Sequence, residues 1–217
     1  MNIDDEGVEI LGDMMRELKR LAREGDSSVS DVVNEALRDF LSFRGGGVNY
    51  YDIISAIERG LNETGLFAAS ASAGDYAVRV KSYIRYRRRP ELKYEVRIDR
   101  RGAAPVCKIS ASLRSDDVDI LRCFTEFTAL WAELEREYAR SGAARRIEHI
   151  TETGYFARSA SLPGHVSASG SAAAGAAVSD FVHAFDELLK GFRLSGRDAR
   201  LTERQYVEYV KAGKLRI

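Results

Sequence analysis

Cysteine, proline and histidine are scarce in this chain, with two, three and three copies in 217 residues. The two cysteines, Cys107 and Cys123, stand far apart inside apolar patterns, so they make no disulfide framework and read as small buried hydrophobes. His149, His165 and His183 lack zinc-ligand spacing and have no cysteine beside them, so no metal site and no cofactor are expected. His149 and His165 flank a segment containing Glu152, and an acid–base pair there would require a deep pocket with converging polar groups. No glycine-rich run ends in the Gly-Lys-Ser/Thr that grips nucleotide phosphates, and Ser169-Gly170-Ser171 lacks the frame of a nucleophile elbow. No catalytic residue is assigned, and a non-enzymatic protein is expected. No apolar run approaches the ~20 residues that span a bilayer. The start, Met1-Asn2-Ile3-Asp4-Asp5-Glu6, lacks the basic flank and apolar stretch of a signal peptide, so a cytoplasmic protein is expected.

Net charge is absent as well, with 33 basic and 33 acidic side chains, but it is unevenly spread. Residues 1–43 hold five basic and eleven acidic side chains, net −6, and the remainder carries +6. Two surfaces that attract each other, or that meet different partners, would produce this asymmetry. Hydrophobic residues at 45% and charged residues at 30% are an ordinary globular balance.

The spacing of Met14, Met15, Leu18, Leu21 and Ala22 predicts a helix ending at Gly25-Asp26. Ser28 stands three residues before Asp31, a capping-box arrangement that opens a second helix with Val32, Val33, Ala36, Leu37, Phe40 and Leu41 on one face. Gly45-Gly46-Gly47 breaks it, which predicts a module over 1–44, a linker over 45–49 and a larger domain over 50–217. Ahead of the first helix, Gly7-Val8-Glu9-Ile10-Leu11 reads as a short strand.

Strand, helix, turn and helix, with the run from Leu18 to Leu41, resemble the ribbon-helix-helix family. The resemblance implies a homodimer whose paired strands enter the major groove of DNA, and so a DNA-binding transcription regulator. With Val8 and Ile10 turned to the core, alternation puts Asp5, Gly7 and Glu9 on the DNA-facing side. That face is acidic and should repel phosphate. Ser28 and Ser30, at the start of the second helix, are the candidate phosphate-binding or helix-capping groups.

In the larger domain, Glu63-Thr-Gly-Leu-Phe-Ala-Ala-Ser-Ala-Ser72 returns as Glu152-Thr-Gly-Tyr-Phe-Ala-Arg-Ser-Ala-Ser161, differing only at Leu66/Tyr155 and Ala69/Arg158. This reads as an internal repeat with a hairpin in both places, the second over 155–171 followed by an Ala/Gly-rich joint. Tyr51, Ile54, Ile57 and Leu61 predict a helix before the first copy. Alternation at Val78, Val80, Ile84 and Tyr86, then at Leu92 to Ile98 and Cys107 to Leu113, predicts an antiparallel meander half-buried against helices. A long helix carries Val118, Leu121, Phe124, Phe127, Trp131, Leu134 and Tyr138 on one stripe, another carries Phe181, Phe185, Leu188 and Phe192, and a short one opens with Thr202 and Gln205 as a capping box.

The fold class expected is therefore α+β: a small strand-helix-helix module, then an antiparallel sheet covered by helices. This element order is similar to the type III secretion chaperone-like fold, including YbjN-type proteins, over residues 48–193. The resemblance implies a protein-binding scaffold without DNA affinity as the alternative function.

Opposite the buried face of the first meander strand lies a basic stripe, Arg79, Lys81, Tyr83, Arg85 and Arg87. It suits an acidic partner, either nucleic acid with Tyr83 stacked on a base or an acidic protein surface. Glu95 and Asp99, beside Lys93 and Arg97 on the next strand, would consume part of that charge through cross-strand pairs. No small-molecule ligand is indicated.

Overall fold

The computed structural model describes residues 3–25, 28–33, 36, 50–72, 76–84, 90–99, 106–138, 147–161 and 168–215, which fall into two compact units, 1–49 and 50–217. The first unit begins with helix α1, Ile3–Glu24. The short strand expected at 7–11 is therefore helical, and Asp5, Gly7 and Glu9 lie on helical turns rather than on one side of a ribbon. The reason is visible in the wider spacing: Ile3, Ile10, Met14, Leu18 and Leu21 fall on one helical stripe, and a helix satisfies its backbone internally where a lone strand cannot. Residues 29–33 and 36 are helical as expected. Leu37, Phe40, Leu41 and the Gly45–Gly47 break lie outside the described residues.

The second unit runs α2 (Tyr50–Glu63), β1 (Ala68–Ser72), β2 (Ala77–Tyr83), β3 (Glu91–Asp99), β4 (Val106–Arg114), α3 (Val118–Tyr138), β5 (Glu148–Glu152), β6 (Tyr155–Ser161), α4 (Ala168–Leu194) and α5 (Ala199–Lys211). Its six strands form one antiparallel sheet in the order β1-β2-β3-β4-β6-β5. The α+β class is as read from the sequence. The meander supplies four neighbours in chain order, and the later hairpin adds β6 beside β4, which leaves β5 at the edge.

Period-two alternation decides which face is covered. Val78, Val80, Leu92, Tyr94, Ile109 and Phe156 are buried on the helix side, while the residues between them are partly or fully exposed. The core is aromatic: Trp131 of α3 lies 4.9 Å from Phe185 and 5.4 Å from Phe181 of α4, and 5.1 Å from Tyr206 of α5. These edge-on contacts add about 0.5–1.5 kcal/mol each to the burial of the rings. Val118, expected on the α3 stripe, is exposed; Ile120 and Cys123 take the inward places.

Three further expectations change. The hairpin read over 155–171 is instead β5–β6, closed by Thr153-Gly154, and residues 168–194 are helical. The Ala/Gly-rich stretch is the first part of α4 because alanine is the best helix former and the small side chains let α4 approach α2. At Gly175 an added Cβ would lie 2.5 Å from the Ala56 Cβ and 3.0 Å from the Ile53 carbonyl oxygen. Ser179 on the same seam donates to the Ile57 carbonyl at 3.2 Å. At the C-terminus, the cap of α5 is Asp198, whose carboxylate accepts from the Leu201 N–H, so Thr202 stands inside the helix and bonds back to the Asp198 carbonyl at 2.9 Å.

The two copies of the repeated phrase share a local shape but not a setting. Gly65 and Gly154 both adopt positive φ, +66° and +71°, and each leads into a strand. The first follows a helix, whereas the second turns a hairpin.

Both cysteines are buried. Burial pushes the Cys107 thiol up to about 11, with the Arg158 charge opposing weakly. A raised thiol contributes stability that is present below its ordinary value near 9 and lost as pH rises through 11. Native protein at pH 8 is expected to leave Cys107 unalkylated by iodoacetamide, with modification appearing only on unfolding; rapid native labelling would contradict the packing around β4.

Candidate functional site

The face of the sheet that the second unit's own helices leave uncovered, its helix-free face, collects the basic stripe. Arg79, Lys81 and Tyr83 project from β2 as alternation predicts, and Arg85 and Arg87 lie outside the described residues. The register sets Arg79 opposite Glu95, and their side chains meet at 3.5 Å. Lys81 stands opposite Lys93, so it reaches diagonally to Glu91 at 3.6 Å while Lys93 bonds the other Glu91 oxygen at 2.9 Å. Arg97 completes the ladder on Glu95 at 3.0 Å. The hydrogen bond from Lys93, with the charges of Lys93 and Lys81, holds the Glu91 carboxyl below the usual carboxylate range. Exposed pairs of this kind contribute little to stability, about 0–1 kcal/mol each. They also bear on recognition: Arg79 and Lys81 each meet a β3 carboxylate, which Lys93 and Arg97 share, so the positive charge of the face is reduced rather than cancelled.

Around the ladder sit apolar and aromatic groups. Tyr83 is 56% exposed and Ile150 of β5 is 46% exposed, both on the same helix-free side, with Tyr155 half-buried between β4 and β5. Six strands of five to nine residues present on the order of 700 Å² at ordinary strand spacing.

The helix-covered side holds two polar networks. In the first, Glu135 of α3 accepts from the Arg158 Nε at 2.8 Å and meets the His149 Nε2 at 2.6 Å. Arg158 is 1% exposed, and its guanidinium lies 4.8 Å over the Phe181 ring. Burial, and then the Glu135 charge, raise the phenol pKa of the adjacent Tyr206. In the second, Asp186 of α4 accepts from Ser82 at 2.8 Å and from Tyr94 at 2.9 Å, and Lys190 donates to Ser82 at 2.9 Å and to Asp186 at 2.5 Å. Burial, reinforced by Asp186, pushes the Tyr94 phenol well above its ordinary value. A hydroxyl beside an amine is the geometry of an activated serine, but Ser82 is fully buried and Lys190 is held by a carboxylate. This network clamps α4 onto β2 and β3.

Sequence signals for the first network existed. Arg158 alternates with Phe156 and Ala160, which places it inward, and Glu135 follows Trp131 by one turn on the apolar side of α3. Opposite charges on two inward faces mark a buried pair. The acid–base arrangement considered for His149 and Glu152 does not form, because they lie on opposite faces of β5 and His149 bonds Glu135. His165 is outside the described residues, and His183 packs its ring 4.8 Å from Phe67. Among the described residues no group of three or more His, Cys, Asp or Glu side chains is placed to hold a metal ion. Between the sheet and α4, Tyr94, Ile109, Phe156 and Phe185 leave no volume that a water molecule can occupy.

In the first unit the capping box is formed: Ser28 Oγ accepts from the Asp31 N–H at 3.1 Å, and the Asp31 carboxylate accepts from the Ser28 N–H at 3.2 Å. The carboxylate occupies the position where a phosphate would approach the helix N-terminus, which sets its charge against that anion. Ser30 is exposed beside it. On α1, Met14 is 56% and Met15 44% exposed, while Ala22 on the same broad stripe is buried. No helix among the described residues is long and apolar enough to cross a membrane. Comparison with protein-family models, with curated proteins and with solved structures found no match.

Proposed function

We propose that this chain is a dimeric, non-enzymatic protein-binding module that receives its partner on the helix-free face of the sheet. The observation that carries this reading is the combination on that face of exposed Tyr83 and Ile150 with a charge ladder in which Glu91 and Glu95 partly neutralise Arg79, Lys81, Lys93 and Arg97. A polyanion gains most from unbalanced positive charge, which the ladder reduces. A protein partner gains from aromatic and apolar anchors inside a polar surround. The area is close to the ~800 Å² that each side of a standard interface contributes. A scaffold role follows more readily from these features than a DNA-reading ribbon, whose strand is helical here.

The dimer is assigned to α1. Its apolar stripe is wide, and Met14 and Met15 remain exposed on it. Two long thioethers in water are costly surface, and a second copy of the same stripe buries them. Met14→Glu with Met15→Glu is expected to halve the mass measured by light scattering and leave the circular dichroism of the second unit unchanged; an unchanged mass would remove the dimer from α1. For the binding face, Tyr83→Glu with Ile150→Glu is expected to abolish co-purification of the partner from source cells. Leu194→Glu, at an exposed site on the helix side, should preserve it. Equal recovery by both variants would overturn the reading.

A further inference from the structure

Charge is unevenly placed along α1. Residues 3–13 hold Asp4, Asp5, Glu6, Glu9 and Asp13 and no basic residue, whereas residues 14–24 hold Arg16, Lys19, Arg20 and Arg23 against Glu17 and Glu24. The two halves of the helix therefore carry −5 and +2. One line shows the reversal most clearly: Asp5, Glu9, Gly12, Arg16, Lys19 and Arg23 follow one another at spacings of four and three, so they share a flank. Within the helix Arg16 is engaged by Asp13, and Arg20 by Glu17 and by Glu24 at 2.6 Å. Lys19 and Arg23 are exposed and form no ion pair with a described residue.

The exposed thioethers stand at the middle of this pattern. The midpoint of α1 falls between Asp13 and Met14, so Met14 and Met15 lie where a two-fold axis would relate two copies of the helix. The apolar stripe alone does not choose a direction, because these methionines meet their own copies whether the helices run parallel or antiparallel. Charge does choose. In a parallel pair the two acidic halves lie side by side, like charge against like, with the helix dipoles aligned as well. In an antiparallel pair each acidic half lies along the basic half of the other copy, with positions 5 and 9 beside positions 19 and 23.

Resting on the assignment of the dimer to α1, we propose that two copies of this helix pair antiparallel about Met14 and Met15, with Asp5 and Glu9 of each copy set against Lys19 and Arg23 of the other. Direction and register are thereby added to the dimer. Such a contact is isologous, so every pair occurs twice. It also places the two C-terminal ends of α1 about 30 Å apart, since the rise of 1.5 Å per residue over residues 14–24 counts on both sides of the axis.

The test attaches a nitroxide to the full chain carrying Glu24→Cys, under native conditions in which the buried Cys107 and Cys123 stay unlabelled. The distance between labels is read by electron paramagnetic resonance and the mass by light scattering. A dimer with labels about 30 Å apart or more is expected. A dimer with labels about 10 Å apart, the spacing of packed helices, would mean a parallel pair and overturn the proposal while the α1 dimer stands. Monomer mass, in this variant and in the unsubstituted chain, would remove both. Glu9→Lys gives an independent check: it should weaken the dimer about fivefold, because an attractive contact with Lys19 is reversed on both sides of the axis. Adding Lys19→Glu to it should restore the affinity. Tightening by Glu9→Lys, which is what relief of repulsion between parallel acidic halves would give, or no change in affinity, would contradict the antiparallel pair.

Discussion

Glu135→Ala is expected to destabilise the second unit by about 3–5 kcal/mol, because it removes the carboxylate to which the buried Arg158 guanidinium bonds. Arg158 is 1% exposed and bonds Glu135 at 2.8 Å, so the guanidinium cannot reach water without disturbing the packing of Phe156 and Phe181. The loss should appear as a lower urea midpoint at unchanged slope. Glu135→Leu combined with Arg158→Met should recover most of it, since an apolar pair of similar volume avoids the desolvation of both charges. A single substitution costing under ~1 kcal/mol, as an exposed ion pair would, would show that the pair is not buried in solution.

Gly175→Val is expected to be of comparable severity, on the order of 3 kcal/mol or more from overpacking. Even a bare Cβ at this position lies 2.5 Å from the Ala56 Cβ, and the nearby Ile53 oxygen and Ile57 nitrogen are backbone atoms that cannot rotate away. Accommodating valine requires α4 to move off α2 and opens the seam held by Ser179. Gly191→Ala, whose nearest neighbour is the end of the Gln205 side chain at 3.8 Å, serves as the control and should change stability by less than ~1 kcal/mol in either direction. Equal effects of the two substitutions, measured by thermal unfolding, would mean that the α2–α4 seam is looser than described.

The sheet was readable because its signal is local and repeated. Alternate residues are apolar along Val78–Val80, Leu92–Ile98 and Cys107–Leu113, and burial follows that alternation within each strand. The β3 carboxylates that pair with part of the β2 stripe were equally legible, since Glu95 falls opposite Arg79 once the strands pair. The N-terminus was misread because Val8-Glu9-Ile10 alternates over three residues, while the helical stripe from Ile3 to Leu21 governs over nineteen. A short window could not distinguish the two periods. Residues 168–176 were misread for another reason: a run of alanine, serine and glycine carries no apolar contrast, so nothing local announced a helix packed tightly on α2.

The buried Glu135–Arg158–His149 contact was partly legible. Each side chain faces inward by its own element's period, but their meeting depends on β6 lying next to β5 beneath α3, which no single segment encodes. The closure of the β1 edge had no sequence signal, because Asn62 and Glu58 reach the backbone of Ala69 and Ala71 from a helix that the strand does not itself encode.

The central claim is that the helix-free face receives a protein. It is tested most directly by placing a photo-crosslinking amino acid at Tyr83 and, separately, at Leu194, exposed by 56% and 77% on opposite sides of the second unit, and irradiating intact source cells. The account predicts a discrete protein adduct from position 83 and none from position 194. An adduct from position 194 alone, or nucleic acid in place of protein at position 83, would contradict it.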